Sequence, residues 1–260
     1  MTASPSHVSR LTSHERALSF QQDRVDLTAA LRWAERLGLN EGIDNHFSCA
    51  VEPDGKKFLV NPHGYHWREI RASDLVLAND EREILEGNNV VEDTAFFIHS
   101  RLHLKHPKAR AVLHTHMPYA TALTIIEKGR LEMVSQNAVQ FAGRIAYLDD
   151  YEGLALDNSE GDRMAAAMGE KTVLFLGHHG VIVTGPTIAA AWNDLYFLER
   201  AAMVQVLAMS TGKPLRPIAE RVVAEFVKAM NSNPDALDQP RKHLEAIKRL
   251  LDRESPEYRT

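Results

Sequence analysis

The sequence predicts a domain of mixed helix and strand, α/β or α+β, on three observations. Long segments have apolar residues at helical spacing, and short β-branched or alternating runs lie between them. No repeat of solenoid period and no extended low-complexity segment is present. The 260 residues, 44% apolar and 25% charged, are typical of a globular protein with a sizeable core.

The first half of this domain is predicted to begin with a helix over residues 13–39, with Ser13 as its cap. Short strands over 47–50 and 57–60 flank the turn sequence Glu52-Pro53-Asp54-Gly55, which predicts a hairpin. A second helix is predicted over 92–105, closed by Pro107.

The second half alternates the two types of element again. Residues 109–116 alternate as a strand does, and a helix is predicted over 119–127. Strands over 172–176 and 181–183 surround the tight turn Gly177-His178-His179-Gly180. Thr187 then begins a long helix that ends near residue 212.

These elements predict a domain organisation in three parts. Residues 1–12 form a flexible tail, and residues 13–212 form the main domain. Residues 213–260 form a peripheral helical extension, which is a possible subunit contact. In this extension, charged helical pieces are separated by the prolines Pro234, Pro240 and Pro256.

Charge and cysteine content narrow the class of function. The formal charge of −5 gives no large cationic field for nucleic acid or an anionic membrane surface, so neither is expected as a partner. No segment has the length or composition of a membrane span or a signal peptide, which predicts a cytoplasmic protein. The single cysteine, Cys49, excludes an intramolecular disulfide and is interpreted as a small buried residue.

The clearest chemical signal among the 13 histidines is His114-Thr115-His116 at the end of a predicted strand. Side chains two residues apart on a strand point to the same face, so both imidazoles can bind one cation. His179, between two glycines, is the best candidate for a third ligand, and His178 should point elsewhere. Three neutral imidazoles suit zinc, manganese, iron or cobalt and leave a position open for substrate.

The other histidines have ordinary interpretations. His99 and His103 are one helical turn apart, so a second metal pair is conceivable, but exposed helix-surface residues are the commoner case. His63 and His66 lie in a turn and could reach a ligand.

The segments 111–123 (AVLHTHMPYATAL) and 179–185 (HGVIVTG) resemble the class II aldolase/adducin family. The resemblance implies that His114, His116 and His179 hold a divalent metal, with zinc favoured. It also implies a three-layer α/β/α sandwich around a mostly antiparallel sheet, assembled as a homotetramer. Residues 45–48 (NHFS) and 58–64 (FLVNPHG) resemble the adducin-like branch, and there Asn45 and Gly64 match substrate-contact positions.

The chain departs from the sugar-phosphate aldolases of this family where they bind phosphate. Asn61 and His63 replace a threonine and a serine of the phosphate loop, which argues against a phosphorylated substrate. The segment Asp93-Thr94-Ala95 stands where those enzymes have a catalytic glutamate. Glu92 or Asp93 is therefore the expected acid/base, and Tyr119 is a further candidate proton donor with packing as its alternative role.

The leading hypothesis is a metal-dependent lyase that cleaves a C–C bond of a non-phosphorylated hydroxy or oxo carboxylic acid, by aldol cleavage or decarboxylation. Two alternatives stay open. One is an adducin-type interaction domain without turnover, and the other is a non-haem iron oxygenase on the same fold.

Overall fold

A mixed sheet forms the centre of the protein in a computed structural model that describes residues 13–153 and 155–260. The tail expected over residues 1–12 lies outside the described residues. The strand order is β4-β3-β2-β1-β5-β8-β7-β6, and every neighbouring pair is antiparallel except β6 and β7. The strands are β1 (His46–Ala50), β2 (Lys57–Val60), β3 (Val76–Asn79), β4 (Ile84–Glu86), β5 (Ala111–Thr115), β6 (Ile145–Leu148), β7 (Val173–Leu176) and β8 (Gly180–Gly185).

Helices cover both faces of this sheet. Two short 3₁₀ helices, Ala72–Asp74 and Pro256–Arg259, complete the described elements. The α-helices are α1 (Ser13–Arg36), α2 (Asp93–Lys105), α3 (Pro118–Thr124), α4 (Gln136–Val139), α5 (Asn158–Met168), α6 (Ile188–Met209), α7 (Glu220–Ser232) and α8 (Pro234–Glu254).

Alternation along the central strands divides the core between the two helical layers. On β5, Ala111 and Leu113 join the large cluster formed with α1, α3, α6 and α8, whereas Val112 packs with α2 and α5. Strands β7 and β8 alternate in the same way. Because successive strand side chains point to opposite faces, a sheet buried on both sides has apolar residues at most positions of its central strands. The expected three-layer sandwich around a mostly antiparallel sheet is confirmed.

The elements with the strongest local signals are present. β1 and β2 pair as a hairpin with Cys49 opposite Leu59, and β7 and β8 pair around the tight turn with Leu176 opposite Gly180. Thr187 caps α6 by accepting a hydrogen bond from the backbone N–H of Ala190. Cys49 is fully buried, in agreement with its interpretation as a core residue.

Three strands and two helices have no counterpart in the sequence prediction. Every residue of β4 is exposed and every residue of β6 is half-buried, so neither strand shows alternation. β3 is a run of four residues, three of them buried, and is too short for its periodicity to separate strand from helix. The short α4 and the glycine-containing α5 were likewise not predicted.

The C-terminal segment is only partly peripheral. The description fits α7, which has no buried residue, but it is wrong for α8, where Leu244, Ile247 and Leu251 join the main core cluster. Pro240 lies inside α8 instead of between helical pieces. The helix tolerates it at the loss of one backbone hydrogen bond because tertiary contacts of the apolar face outweigh local propensity.

Within the described residues, no helix combines the length with the apolar character that a membrane crossing requires.

Candidate metal centre

Three histidine rings converge at the end of the central strands. His114 is on β5, His116 follows β5 directly, and His179 lies in the turn between β7 and β8. One ligand nitrogen from each ring lies within 4.8 Å of those of the other two, and the ring centroids are 4.7 to 5.0 Å apart. This is the spatial arrangement that the histidine spacing predicted, and it allows the three nitrogens to share one cation.

The sheet register brings the turn to the strand end. β5 and β8 pair with Thr115 opposite Val181, so the turn before β8 lies beside the segment that follows β5. Gly180 permits this contact: a Cβ atom there would lie 2.5 Å from the carbonyl oxygen of Thr115 and 2.9 Å from Cδ2 of His116. His178 has a φ of 57° and is exposed, in agreement with the prediction that it points away from the other rings.

The hydrogen bonds of these rings leave nitrogen lone pairs free for a metal. His114 Nδ1 lies 3.0 Å from the carbonyl oxygen of Val181 and therefore donates, which leaves Nε2 unprotonated in the neutral ring. His116 Nε2 is buried without a hydrogen-bond partner among the described residues. The unpartnered His116 Nε2 and the lone pair of His114 Nε2 together fit a divalent cation. A carbonyl oxygen that fixes the tautomer of a ligand, as that of Val181 does for His114, is typical of metal sites.

The protonation states also suit a metal. Burial, followed by the neighbouring His179, holds the pKa of His114 well below its usual value. Burial lowers the pKa of His116 and lowers that of His179 to about 4. Neutral imidazoles are the form that binds cations, so all three rings are in the ligating state at neutral pH.

A second group of histidines, missed by sequence reasoning, lies beside this trio. His46 stacks on His114 with ring centroids 5.0 Å apart and meets His99 edge-on at 4.9 Å. His99 and His103 are buried under β1, so their interpretation as helix-surface residues is wrong. Two sequence spacings could have indicated this group. His46 and Ser48, two residues apart on a strand, lie on one face of that strand. His99 and His103, four residues apart on a helix, lie on one face of that helix.

The two candidate acid/base residues occupy different environments. Glu92 is the N-cap residue of α2, and its Oε2 lies 3.7 Å from His46 Nε2. The carboxylate of Asp93 is instead paired with Arg82, and its side chain is 64% exposed. Glu92 also lines a small cavity with Ala95, the residue that occupies the expected glutamate position. The structure therefore brings Glu92 to the histidine cluster, whereas the carboxylate of Asp93 is engaged by Arg82.

The two candidate substrate-contact residues have evident structural roles. Asn45, with a φ of 73°, accepts hydrogen bonds at Oδ1 from the backbone N–H of Glu41 (3.1 Å) and of His116 (3.3 Å). It also lines the small cavity beside Glu92. Gly64 is an exposed turn residue with a φ of 83°, a conformation that favours glycine.

Tyr119 lies near the start of α3 and is partly buried against the main core. Its backbone N–H donates to Glu199, and it lines a groove with Tyr196 and Met203 of α6. These contacts are those of a packing aromatic, which was the alternative considered for this residue.

The fold and the site together define a class: a three-layer α/β protein in which three neutral imidazoles, one buried and two partly buried, converge at a strand end is a candidate metalloprotein. Residues 25–206 match the family described as Class II Aldolase and Adducin N-terminal domain. The chain belongs to this family, as its motifs indicated.

Similarity to individual proteins extends over most of the chain. A crystal structure of an aldolase II superfamily protein from Pseudomonas syringae is 33% identical, with a TM-score of 0.83 over 92% of this chain and 96% of that one. L-fuculose 1-phosphate aldolase from Glaciozyma antarctica is 26% identical, with a TM-score of 0.83 over 97% of both chains. The decarboxylase NovR of Streptomyces niveus is 31% identical over 76% of this chain and 72% of its own length. Relatives named as an oxygenase and as adducins also match.

Proposed function

We propose that the protein is a divalent-metal-dependent carbon–carbon lyase acting on a non-phosphorylated hydroxy or oxo carboxylic acid, by aldol cleavage or decarboxylation. The observation that carries the proposal is the convergence of His114, His116 and His179 with unprotonated nitrogens and an orphaned His116 Nε2. Zinc is the preferred metal, with manganese, iron and cobalt as alternatives. When bound, the ion would supply Lewis-acid polarisation of a substrate oxygen.

Glu92 is the proposed proton donor and acceptor. Burial raises the pKa of Glu92, which brings its carboxyl group closer to the range in which it can both hold and release a proton. C–C cleavage leaves an electron pair on carbon, and the Glu92 carboxyl can supply the proton that this carbon takes up. Asp93 is a weaker candidate because its side chain is 64% exposed and its carboxylate is paired with Arg82. Tyr119 remains a candidate donor of lower rank.

The environment of Asn61 argues against a phosphate group in the substrate. Asn61 Oδ1 accepts from the backbone N–H of Phe47 at 2.8 Å, and its Nδ2 donates to the carbonyl of Asn45 at 3.3 Å. The amide oxygen and one of the two N–H donors of Asn61 are therefore used in joining two segments of the fold. The hydroxyl donors that a phosphate dianion favours are also missing from this turn.

Metal content tests the central part of the proposal. We expect protein purified without chelators to hold about one divalent ion per chain, and we expect His114→Ala and His179→Asn to lose it. His178→Asn is the matched control, because it makes the same change one residue away at an exposed position where asparagine tolerates the positive φ. Unchanged metal content in both trio variants would contradict the proposal.

Turnover tests the reaction. The metal-loaded protein is assayed against non-phosphorylated hydroxy and oxo acids, with detection of released aldehyde or carbon dioxide, and Glu92→Gln is expected to lose activity while retaining metal. Oxygen consumption with Fe(II) would instead favour the oxygenase, an alternative supported by the name of one relative. Metal binding without turnover would favour an adducin-type domain. The cytoplasmic location and the tetrameric assembly remain predictions.

A further inference from the structure

A continuous chain of polar contacts crosses the buried layer between α2 and β1. It begins at the backbone carbonyl of Ala109, which lies 2.6 Å from His103 Nδ1. Ser48 Oγ bridges His103 Nε2, at 2.7 Å, and His99 Nδ1. His99 Nε2 lies 2.9 Å from His46 Nδ1, and His46 Nε2 faces Glu92.

The local geometry of two elements builds this chain. Residues 46 and 48 lie on the same face of β1, and residues 99 and 103 are one turn apart on α2. All four side chains are at most 7% exposed, so water does not compete for their hydrogen bonds. Such a buried network is costly unless its members are satisfied. Here every polar side-chain atom of the chain has a hydrogen-bond partner except His46 Nε2, which lies 3.7 Å from Glu92 Oε2.

The direction of the hydrogen bonds follows from the first acceptor. A carbonyl oxygen can only accept, so His103 Nδ1 carries the proton and donates it to Ala109. In the neutral ring, His103 Nε2 must then accept, and the single hydroxyl hydrogen of Ser48 is directed at it. Ser48 Oγ is left to accept, so His99 Nδ1 carries a proton.

The same logic continues to the end of the chain. His99 Nε2 accepts from His46 Nδ1, which leaves His46 Nε2 with a lone pair and no proton. These directions hold for neutral rings. Burial holds the pKa of His99 well below its usual value and lowers that of His103 to about 4. His46 is 4% exposed, and its Nδ1 is the donor that the lone pair of His99 Nε2 requires.

We propose that this chain positions Glu92 as a proton donor: it fixes His46 in the Nδ1–H tautomer, so that His46 Nε2 accepts a hydrogen bond from the protonated carboxyl group of Glu92. The inference rests on the proposed function, in which Glu92 provides the proton. His46, Ser48, His99 and His103 are positioning residues that act through Glu92. His46 Nε2 and Glu92 Oε2 are 3.7 Å apart, so the proposed hydrogen bond forms only when this distance shortens, as catalytic contacts often do on substrate binding.

The other groups that face Glu92 have opposing effects on its proton. Burial is the largest cause of its raised pKa, Asp44 and Asp93 raise the pKa further, and His63 lowers it. The tautomer of His46 adds a directional contribution to this balance. An acceptor nitrogen stabilises the protonated carboxyl, whereas an N–H donor would stabilise the carboxylate and lower the pKa.

Histidine tautomers give a test that needs no substrate. In zinc-loaded protein labelled with ¹⁵N-histidine, long-range ¹H–¹⁵N spectra distinguish the Nδ1–H form from the Nε2–H form, and single His→Gln variants assign the signals. We expect His46, His99 and His103 all to be in the Nδ1–H form. A wild-type His46 in the Nε2–H form would overturn the proposal.

Ser48→Ala breaks the chain in the middle. His99 Nδ1 then loses its acceptor, so His99 can adopt the Nε2–H form, and His46 must follow by accepting at Nδ1 and donating from Nε2. Infrared titration of the carboxyl band that Glu92→Gln removes reports the pKa of Glu92. We expect Ser48→Ala to lower its midpoint by about half to one pH unit.

Matched variants separate this effect from a general disturbance of the core. Ser100→Ala removes a buried hydroxyl of α2 that is outside the chain and has no partner among the described residues, so the Glu92 midpoint should not move. Ser48→Thr retains the hydroxyl and should restore the wild-type midpoint. An unchanged midpoint in folded Ser48→Ala would overturn the proposal. If that variant does not fold, the wild-type tautomers decide.

The two proposals fail in different measurements. If the lyase proposal is wrong, the protein will lack bound metal or will not turn over the substrates, while His46, His99 and His103 keep the expected tautomers. Loss of the present inference would appear in the tautomers and in the Glu92 titration while zinc content and turnover remain.

Discussion

Asn45 connects the loop after α1 to the metal trio, and replacing it by glycine is expected to weaken both the fold and the site. Its Oδ1 accepts from the backbone N–H groups of Glu41 and His116, and the residue is 4% exposed. Asn45→Gly keeps the positive φ but leaves both N–H groups without an acceptor. Glu41 is exposed, so water can accept from its N–H in the variant, and losing this hydrogen bond costs about 1 kcal/mol of unfolding free energy. The N–H of His116 lies further inside, and leaving it without an acceptor costs about 1–3 kcal/mol. The expected loss in the free energy of unfolding is therefore about 2–4 kcal/mol.

Two further substitutions at the same position check this reasoning. Asn45→Asp keeps an acceptor oxygen and tolerates the positive φ, and the two N–H donors partly offset the cost of burying its carboxylate, so we expect a loss of about 1–2 kcal/mol. Asn45→Ala loses the acceptor and adds a left-handed backbone cost of about 1–2 kcal/mol. Stability should therefore fall in the order Asp, Gly, Ala. The measurement is urea unfolding of the metal-free variants, followed by circular dichroism.

Zinc affinity provides the functional readout for Asn45. Because the lost hydrogen bond holds the backbone of His116, Asn45→Gly should weaken zinc binding by about 10- to 100-fold, the range found for residues that orient metal ligands. Competition with a chromophoric chelator measures this affinity. Wild-type stability together with wild-type zinc affinity in Asn45→Gly would refute this role of Asn45.

Three further outcomes are expected. Burial lowers the pKa of His103 to about 4, so the stability that its neutral ring contributes is complete above the unfolded-state pKa and is lost as the pH falls towards the folded-state value. Other buried histidines add to the loss in the wild type, so urea unfolding should show a loss between pH 7 and pH 5 that is about 2 kcal/mol smaller in His103→Gln. Gly64→Ala should cost about 1–2 kcal/mol of unfolding free energy. The cost comes from the positive φ alone, because no atom lies within 4 Å of the added Cβ. Zinc affinity should not change, and a raised KM would indicate that Gly64 contacts the substrate. Removal of the metal with a chelator should lower the Tm. Zinc at a concentration of a hundred times its Kd should then raise the free energy of unfolding by about 2.7 kcal/mol. The Tm of His114→Ala should respond to neither treatment.

Local patterns predicted those elements whose burial is regular. The β1–β2 hairpin follows from its turn residues, and α2 and α6 follow from apolar spacing and their terminating or capping residues. β4 and β6 lack alternation because one is exposed and the other is half-buried along its whole length. Pro240 was interpreted as a break, yet α8 continues through it because its apolar face packs into the core.

The sequence by itself determined that His114 and His116 share a face, since strand geometry depends only on nearest neighbours. It also identified His179 between its glycines and excluded a disulfide. Only the tertiary structure decided that the three rings meet, that His99 and His103 are buried, and that Glu92 instead of Asp93 reaches the cluster. The physical reason is that these distances depend on the β5–β8 register and on the packing of α2, which join segments far apart in the chain.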